Sequence, residues 1–481
     1  MTKLVWYRND LRCHFHQGLQ HALASGEAVR AVYLDCPQQW HDHGIAPLRQ
    51  RYVLRALLSL GDNLAALGVP LDVIDCGRFS RVADVLASHA DTHDVDEIFC
   101  TREYPFNEMA RDRAVAKVMA QRSVAITAFD DAVLVPPRTL TTGQGGWYSV
   151  FTPYRKRWQV WLAENPPPGD GLDASPRKKS GRFPGREYLQ ARLAETEHLA
   201  GHDRQWPADE ATVREELARF IDEHLAGYKR DRDFPALDGT SGLSAALSTG
   251  VLAAAECYRR AEDEMARRPA AKEGGNTWVG ELAWRDFYRQ IMANHPRLAT
   301  GEPYRDETRF IQWSRDEALY QAWCEGRTGY PLVDAAMRQL RQTGWMHNRL
   351  RMVTAMFLTK NLFIDWRWGE QWFMQHLVDG DFAANNGGWQ WSASTGTDAA
   401  PYFRVFNPVR QGERFDPEGD FIRRYVPELA QLEGKAVHQP WKSPMLCPDY
   451  PQPVVSLDGV RDKVVSAFQA ARDIAQQKDF A

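Results

Sequence analysis

The sequence predicts a protein of the α/β plus all-α class. We expect a Rossmann-like, five-stranded parallel α/β domain at residues 1–131, a long connector at 132–204 and an all-helical domain at 205–481. Two observations predict this: short β-branched runs recur about 25–40 residues apart in the first part, and helical periodicity dominates the last part. A chain of 481 residues is long enough for about two or three domains, each with its own core.

Five apolar runs mark the strands of the first domain. They lie at residues 3–7, 29–34, 70–75, 97–100 and 124–129. The intervals leave room for a helix after each strand, which is the pattern of right-handed βαβ crossovers and a parallel sheet. The first strand runs into WYRNDLRC rather than a G-x-G-x-x-G turn, so we do not expect the usual dinucleotide-binding turn there.

The predicted connector is rich in proline, glycine and basic residues. PPRTLTTGQGGWYSVFTPY reads as a loop, and a triple proline with several glycines follows at 165–185. A solvated charged loop explains the basic run in this segment better than a phosphate site does. The run consists of Arg177, Lys178, Lys179, Arg182 and Arg186.

The third part shows helical periodicity to about residue 430. Clear amphipathic segments include EELARFIDEHLAGY, LAAAECYRRAEDEMARR and YPLVDAAMRQLRQTGW, and no run alternates like a strand. Eleven of the 17 tryptophans lie between 278 and 441. We therefore expect the chemistry to be concentrated in this part of the chain.

Composition excludes several classes of protein. Apolar residues make up 44% and charged residues 25%, which fits a globular chain without a membrane span or signal peptide, so we expect a cytoplasmic location. The seven cysteines show neither C-x-x-C nor zinc-type spacing, so they are expected to be reduced thiols, and no metal site is expected. The net charge of −4 means that any contact with DNA needs a local basic patch.

Two helical stripes carry unusual mixtures of side chains. In the helix predicted at 278–289, a carboxylate, an indole, a guanidinium and a phenol share one face. These residues are Glu281, Trp284, Arg285 and Tyr288. In the segment 344–357, Asn348, Arg351 and Met352 are expected on one face, with Arg349 pointing elsewhere. Such mixtures favour a polar pocket over a core.

Two further segments are rich in turn-forming and hydroxyl residues. In 379–408, glycines and paired asparagines indicate tight turns with positive φ, followed by Trp389 and Trp391. In 234–250, Thr240 and Ser241 precede an apolar helix, which is typical of an N-cap. An exposed helix start with two hydroxyls is also a place where phosphate binds.

These motifs together resemble a known family. FPALDGTSGLS, ELAWRDFYR, TGYPLVDAAMRQL, TGWMHNRLRM and DGDFAANNGGWQWSASTGTDAAPYFRVFNP resemble the flavin domain of the photolyase/cryptochrome family, most closely the bacterial class I cyclobutane pyrimidine dimer DNA photolyases. The opening LVWYRNDLR resembles the N-terminal α/β domain of that family. The resemblance covers essentially the whole chain and implies light-driven repair of pyrimidine dimers in DNA.

The resemblance implies a non-covalent FAD, active in its reduced form, in the helical domain. Asn385 matches the residue next to flavin N5, where a neutral amide favours a reduced, anionic flavin more than a carboxylate would. Hydroxyls and backbone N–H groups before a helix suit its pyrophosphate. The implied FAD-binding residues are Tyr228, Thr240, Ser241, Gly242, Leu243, Ser244, Arg351, Asp379, Gly380, Asp381 and Asn385.

The resemblance also implies the catalytic residues. Glu281 and Asn348 match residues that hydrogen-bond the dimer, which stabilises the negative charge that develops on it. Trp284 and Trp391 match an aromatic wedge against the flipped bases, and Met352 matches a thioether that lines the pocket. Trp389, Trp366 and Trp313 match the family's electron chain between the surface and the flavin.

Two more sets of residues follow from the resemblance. Besides Glu281 and Asn348, the implied DNA-binding residues are Arg232, Arg285, Arg349, Arg404 and Gln411. The residues implied to hold a methenyltetrahydrofolate antenna are His43, Asn107 and Glu108. The chain departs from some relatives in two places: Ala299 and Thr300 replace a Cys-Lys pair, and Gly242 replaces an arginine.

Three alternatives stay open at this point. A cryptochrome-type blue-light photoreceptor shares the scaffold, but typically adds a long C-terminal tail and loses pocket residues that this chain keeps. A 6-4 photoproduct photolyase usually needs two active-site histidines, whereas here His347 is followed by Asn348. A general flavin oxidoreductase lacks support from any nicotinamide fingerprint. We expect a monomer that acts on damaged DNA with the bacterial nucleoid and has no membrane partner.

Overall fold

The computed structural model describes residues 2–172 and 182–479. Arg177, Lys178 and Lys179 of the predicted basic run lie outside these residues. The chain divides into two compact units, each assembled from separate stretches of sequence. The first unit comprises Met1–Ala226, Ser241–Pro296 and Val378–Asp381. The second unit comprises Gly227–Thr240, Arg297–Leu377 and Phe382–Ala481.

The first unit contains a five-stranded parallel sheet, which confirms the predicted α/β domain. Its strand order is β3-β2-β1-β4-β5, so the chain starts in the middle of the sheet and moves outward twice. On β1, Val5 pairs with Ala31 of one neighbour and with Phe99 of the other. The strands are β1 (Thr2–Tyr7), β2 (Ala28–Asp35), β3 (Leu71–Asp75), β4 (Val95–Thr101) and β5 (Ala125–Phe129).

Helices account for most of the remaining described chain. Up to residue 219 they are α1 (Gln17–Ala24), α2 (Pro37–Asp42), α3 (Pro47–Ala66), α4 (Val82–Thr92), α5 (Phe106–Ala120), α6 (Phe151–Glu164), α7 (Arg186–Ala194) and α8 (Glu210–Arg219). Further along they are α9 (Tyr228–Asp231), α10 (Ser244–Thr249), α11 (Ala254–Arg267), α12 (Lys272–Asn294), α13 (Glu317–Glu325), α14 (Pro331–Thr343), α15 (Asn348–Met356), α16 (Trp366–His376), α17 (Phe382–Ala393), α18 (Pro408–Phe415), α19 (Asp420–Tyr425) and α20 (Val460–Asp479). Among the described residues, no helix has the length and apolar content that crossing a bilayer requires.

Each unit has its own apolar core. In the first, alternate residues of β1, Leu4 and Trp6, pack with Leu86 of α4 and Val115 of α5, as the two-residue period of a strand requires. In the second, the core is built mainly from helices and takes in several of the clustered tryptophans. Burial of these large side chains supplies the main stabilisation of both units.

The segment 132–204 is partly helical, whereas much of it reads as a loop in the sequence. Helix α6 buries Phe151, Tyr154, Trp158 and Leu162, which recur at helical spacing. Trp158 donates its indole N–H to the buried Asp286 of α12 at 2.9 Å. Asp286 also accepts hydrogen bonds from the backbone of the segment, so its carboxylate holds this part of the chain in the first unit.

Candidate functional site

One face of α12 in the first unit carries the predicted stripe of aromatic residues. The ring of Trp284 lies nearly parallel to that of Phe151, with 3.5 Å between centroids and 8° between planes. Tyr288, one turn further on, lies 5.5 Å from Trp284. Phe151 covers one face of the indole and holds its orientation, a role that the sequence analysis did not identify because Phe151 lies far away in sequence.

The two arginines of α12 bind groups within the first unit. Arg285 donates to the carbonyl oxygens of Ala132 and, at 3.0 Å, Leu247. Arg289 donates to the Ala132 oxygen and, at 2.6 Å, to the carboxylate of Asp381. Burial, followed by the neighbouring charge of Arg289, lowers the pKa of Arg285. The side chain of Arg285 thus binds two backbone carbonyls of the first unit. Its predicted contact with DNA stays a prediction.

Two arginines hold the short segment Val378–Asp381, which carries two of the carboxylates assigned to the flavin and ribose. Arg289 pairs with Asp381 as described, and Arg49 of α3 donates to the carbonyl of Val378 at 3.3 Å. Burial lowers the pKa of Arg49, and the charges of Asp381 and Asp379 oppose this shift. Arg49 and Arg289 are positioning residues that sequence reasoning missed, because no local motif links them to residues 378–381.

The turn before α10 differs from the predicted helix cap. The N-cap residue is Leu243, and no side chain caps the helix, so the expectation that Thr240 or Ser241 is the cap is wrong. Gly242 has φ +66 and places the chain in the left-handed region between the hydroxyl residues and the helix. A Cβ at Gly242 would meet nothing within 4 Å, so the glycine is needed for its backbone conformation.

In the second unit, a cluster of charges surrounds Asp233. Arg349 donates to the Asp233 carboxylate at 2.9 Å, and Arg232 lies 4.0 Å from it. Arg349 also lies over the ring of Phe415 at 4.5 Å, and Arg414 lies over the same ring at 5.0 Å. The structure thus brings together two of the predicted DNA-binding arginines and adds Arg414, which the sequence analysis did not single out.

Helix α15 presents the second predicted stripe. His347 caps it by accepting the backbone N–H of Arg349 at 3.2 Å. Arg349 lies 3.9 Å from the sulfur of Met352, so the expectation that it points away from this face is wrong. The two residues are three positions apart, and such residues are neighbours on a helix. Burial lowers the pKa of His347 to about 4, so its imidazole is neutral near pH 7.

Helix α17 contains the paired asparagines and glycines, and the prediction of tight turns with positive φ there is wrong. Residues Phe382–Ala393 are helical, and positive φ values occur only after the helix, at Ser394 and Asp398. Within this helix Asn385 donates its amide to the carbonyl of Glu370 at 2.9 Å, which leaves the amide oxygen as an acceptor. A Cβ at Gly388 would meet nothing within 4 Å.

The side chain of Glu370 supports the same helix. Asn386 donates to its carboxylate at 2.8 Å, and Gln390 donates to the amide oxygen of Asn386 at 3.0 Å. Burial raises the pKa of Glu370 to about 7, and the hydrogen bond from Asn386 opposes this shift. This chain of hydrogen bonds fixes the face of α17 next to Asn385.

The three tryptophans of the predicted electron chain belong to one apolar region of the second unit. Trp366 and Trp389 are 0% and 2% exposed, and Trp313 is partly buried against the same cluster. The Trp389 ring meets Phe373 edge-on at 4.9 Å. Burial is thus least at Trp313. Trp391 also packs partly buried against this cluster.

The predicted antenna residues lie close together in the first unit. His43 follows α2, and Asn107 and Glu108 lie in the first turn of α5. The amide nitrogen of Asn107 lies 3.4 Å from Nε2 of His43. Burial, followed by the charge of Glu103, raises the pKa of Glu108 to about 7.

Known proteins resemble the chain along its length. Residues 3–170 match the family model described as DNA photolyase, and residues 278–470 match the FAD binding domain of DNA photolyase. A deoxyribodipyrimidine photo-lyase of Vibrio cholerae is 42% identical over 476 residues, which are 98% of this chain and 100% of the relative. One from Escherichia coli is 43% identical over 477 residues, 98% of this chain and 99% of the relative.

A solved structure supports the same assignment. The crystal structure of a bacterial class III photolyase from Agrobacterium tumefaciens superposes with a TM-score of 0.82 at 32% identity, covering 98% of each chain. The chain therefore belongs to the DNA photolyase family. This confirms the predicted resemblance, the α/β plus helical architecture and the FAD-binding domain.

Proposed function

We propose that the protein is an enzyme that splits cyclobutane pyrimidine dimers in DNA with blue or near-ultraviolet light, a carbon–carbon lyase reaction. The observation that carries this proposal is the similarity to deoxyribodipyrimidine photo-lyases along 98% of the chain. The resemblance of its motifs assigns Glu281, Asn348 and Met352 to the dimer.

The described residues fit an FAD cofactor. The amide oxygen of Asn385 suits the N–H of a reduced flavin, and the space above Gly388, one turn further on the same helix, suits a flat ring. In the first unit, Arg289 holds Asp381, and Gly242 gives its turn the left-handed conformation that brings backbone N–H groups toward a phosphate. These residues would hold FAD, and the reduced cofactor would supply light-driven one-electron chemistry for opening the cyclobutane ring without net redox change.

The chain's own residues orient the dimer and stabilise its charge. The carboxylate of Glu281 accepts an imide N–H, and the amide of Asn348 donates to a carbonyl oxygen, where negative charge develops. Trp284, held by the parallel ring of Phe151, offers a rigid surface for a flipped base.

Binding to the DNA backbone is assigned to the basic residues of the second unit. Arg404 is exposed, and Arg232 and Arg349 both lie close to Oδ1 of Asp233, with Gln411 on α18 nearby in sequence. A focused patch of this kind is what a protein of net charge −4 needs to attract phosphates. A dimer already weakens base pairing and stacking, which lowers the cost of flipping it out.

We assign the antenna role to methenyltetrahydrofolate. Support comes from the proximity of His43 and Asn107, and from Glu108, whose raised pKa leaves part of its carboxyl group protonated and able to donate a hydrogen bond. The enzyme is expected to act as a monomer in the cytoplasm, where the nucleoid provides its substrate.

The test compares two variants on α12. Glu281→Ala should retain FAD but lower the number of dimers split per absorbed photon, because the hydrogen bond to the dimer is lost. Glu273→Ala changes an exposed carboxylate on the same helix and should behave like the wild-type protein. Dimer loss is measured by chromatography of a thymine-dimer oligonucleotide, in light and in darkness.

The outcomes also distinguish the alternatives. A wild-type protein that holds FAD but splits no dimer in light, of either the cyclobutane or the 6-4 type, would contradict the proposal and favour a cryptochrome. Preferential repair of 6-4 photoproducts would favour the 6-4 enzyme. Turnover of NAD(P)H in darkness would favour a flavin oxidoreductase.

A further inference from the structure

Three side chains at the edge of the parallel sheet form a cluster that none of the roles above uses. Asp72 lies on edge strand β3, His89 lies on α4, and His93 follows the last residue of that helix. One ligand atom from each lies within 4.8 Å of the other two. The two histidines are four residues apart, so their rings meet on one face of the helix.

The Nε2 atom of His89 is suited to binding a metal ion. Its residue is 7% exposed, and its Nε2 has no hydrogen-bond partner among the described residues. This atom lies 3.5 Å from Oδ2 of Asp72. Two ligands that each lie about 2.0–2.1 Å from a tetrahedral zinc ion are about 3.4 Å apart. The separation therefore matches two ligands of one ion.

The position of the third ligand agrees with this assignment. The ring of His93 lies edge-on to that of His89, with centroids 4.6 Å apart, which brings a second imidazole nitrogen to the same place.

Arg30 of β2 forms the surroundings of the cluster. It donates two hydrogen bonds to Oδ2 of Asp72, at 2.7 Å from Nη2 and 3.2 Å from Nε. Such a partner orients a ligating carboxylate. Its positive charge also opposes a bound cation and so weakens the binding of the ion.

We propose that Asp72, His89 and His93 bind a divalent transition-metal ion of the zinc class. Two imidazoles and one carboxylate suit Zn²⁺, Co²⁺ or Ni²⁺ and not Mg²⁺ or Ca²⁺, which prefer all-oxygen sites. With three protein ligands, the fourth position is filled by water. The ion connects an edge strand of the sheet to the end of α4, and so stabilises the first unit. No metal site is expected from the sequence because its cysteines lack C-x-x-C and zinc-type spacing.

Titration of the chelator-treated, FAD-containing full chain with ZnCl₂ in a calorimeter tests this site. The wild-type protein should bind one ion per chain, and Asp72→Asn or His93→Ala should raise the Kd at least about tenfold. The matched control is His202→Ala, because His198 and His202 have the same four-residue spacing but belong to no such cluster in the described chain. The control should stay within about twofold of the wild type.

X-ray absorption at the zinc edge tests the proposed ligands on the wild-type protein, so the result does not depend on the folding of any variant. The loaded wild-type protein should show nitrogen and oxygen ligands at about 2.0–2.1 Å with imidazole scattering. Sulfur at about 2.3 Å would place the ion at the cysteines and overturn the proposal. Unchanged affinity in folded Asp72→Asn and His93→Ala, or the absence of saturable binding in the wild type, would overturn it too.

Discussion

Substitution of Gly369 by alanine should displace Trp389 of the predicted electron chain. Gly369 lies on α16, and a Cβ built there lies 2.1 Å from Cη2 and 2.4 Å from Cζ3 of Trp389. Ordinary carbon–carbon contact begins near about 3.5 Å, so the indole must move by about 1.4 Å. Trp389 is 2% exposed and packed against Phe373 and Trp323, so it has little room to move.

The change in the free energy of unfolding caused by Gly369→Ala is the difference between two opposing contributions. Overpacking a core of this kind costs about 1–3 kcal/mol. Replacing glycine by alanine inside a helix stabilises the helix by about 0.5–1 kcal/mol. Because the clash involves a large ring in a filled core, the cost should lie at the upper end, and Gly369→Ala should destabilise the second unit by about 2 kcal/mol.

Two measurements check this expectation. The Tm of the FAD-containing protein should fall by about 4–8 °C, as this free energy predicts for a unit of roughly 200 residues. The yield with which light and an external donor reduce oxidised flavin should also fall, because Trp389 leaves its position. An equal Tm in Gly369→Ala and wild type would refute the packing argument. A lowered Tm with an unchanged yield of photoreduction would argue against the place of Trp389 in the chain.

Four further outcomes are expected. A Cβ at Gly388 meets no neighbour within 4 Å, so Gly388→Ala should leave the Tm of the FAD-free protein equal or higher. The same variant should contain less FAD after purification, as measured by absorbance. Full FAD content would show that the flavin does not use this space. Burial raises the pKa of Glu370 from 4.5 to about 7, so between these pH values the folded chain binds more protons than the unfolded chain and loses stability as pH rises. Glu370→Gln should therefore flatten the change of Tm between pH 5 and 7. An equally steep profile in this variant would contradict the raised pKa of Glu370. Trp389→Phe should block photoreduction of oxidised flavin but leave repair by pre-reduced protein largely intact, and loss of both would argue against the electron chain. Arg404→Ala should weaken binding to damaged and undamaged DNA by similar factors and reduce the slope of log affinity against log salt by about one unit. Trp284→Ala should weaken binding to damaged DNA only, by about 1–3 kcal/mol. Titrations of both DNAs at several salt concentrations would contradict this division if either variant behaved like the other.

The sheet could be predicted from sequence because each strand is a short apolar run followed by room for a helix. Such runs are long enough to show their two-residue period and their spacing, and all five strands lie where they are expected. Helix α6 was missed because its apolar positions sit between proline- and glycine-rich stretches, whose local signals favour a loop.

The candidate site shows where local signals fail. Asn385 and Gly388 favour turns in isolation, yet packing of α17 holds them in a helix, as tertiary contacts often override propensity. Thr240 and Ser241 look like caps, but the left-handed conformation of Gly242 separates them from α10. Arg49 could not be found from sequence, because it reaches Val378 across more than 300 residues of chain.

The number of dimers split per bound FAD tests whether the protein repairs DNA without net oxidation of its flavin. The protein is reduced once, kept without oxygen or further reductant, and illuminated with an excess of thymine-dimer DNA. Because repair involves no net redox change, we expect far more than one dimer split per FAD, with the flavin absorption spectrum the same before and after. A yield of at most one dimer per FAD, with matching oxidation of the flavin, would contradict the account.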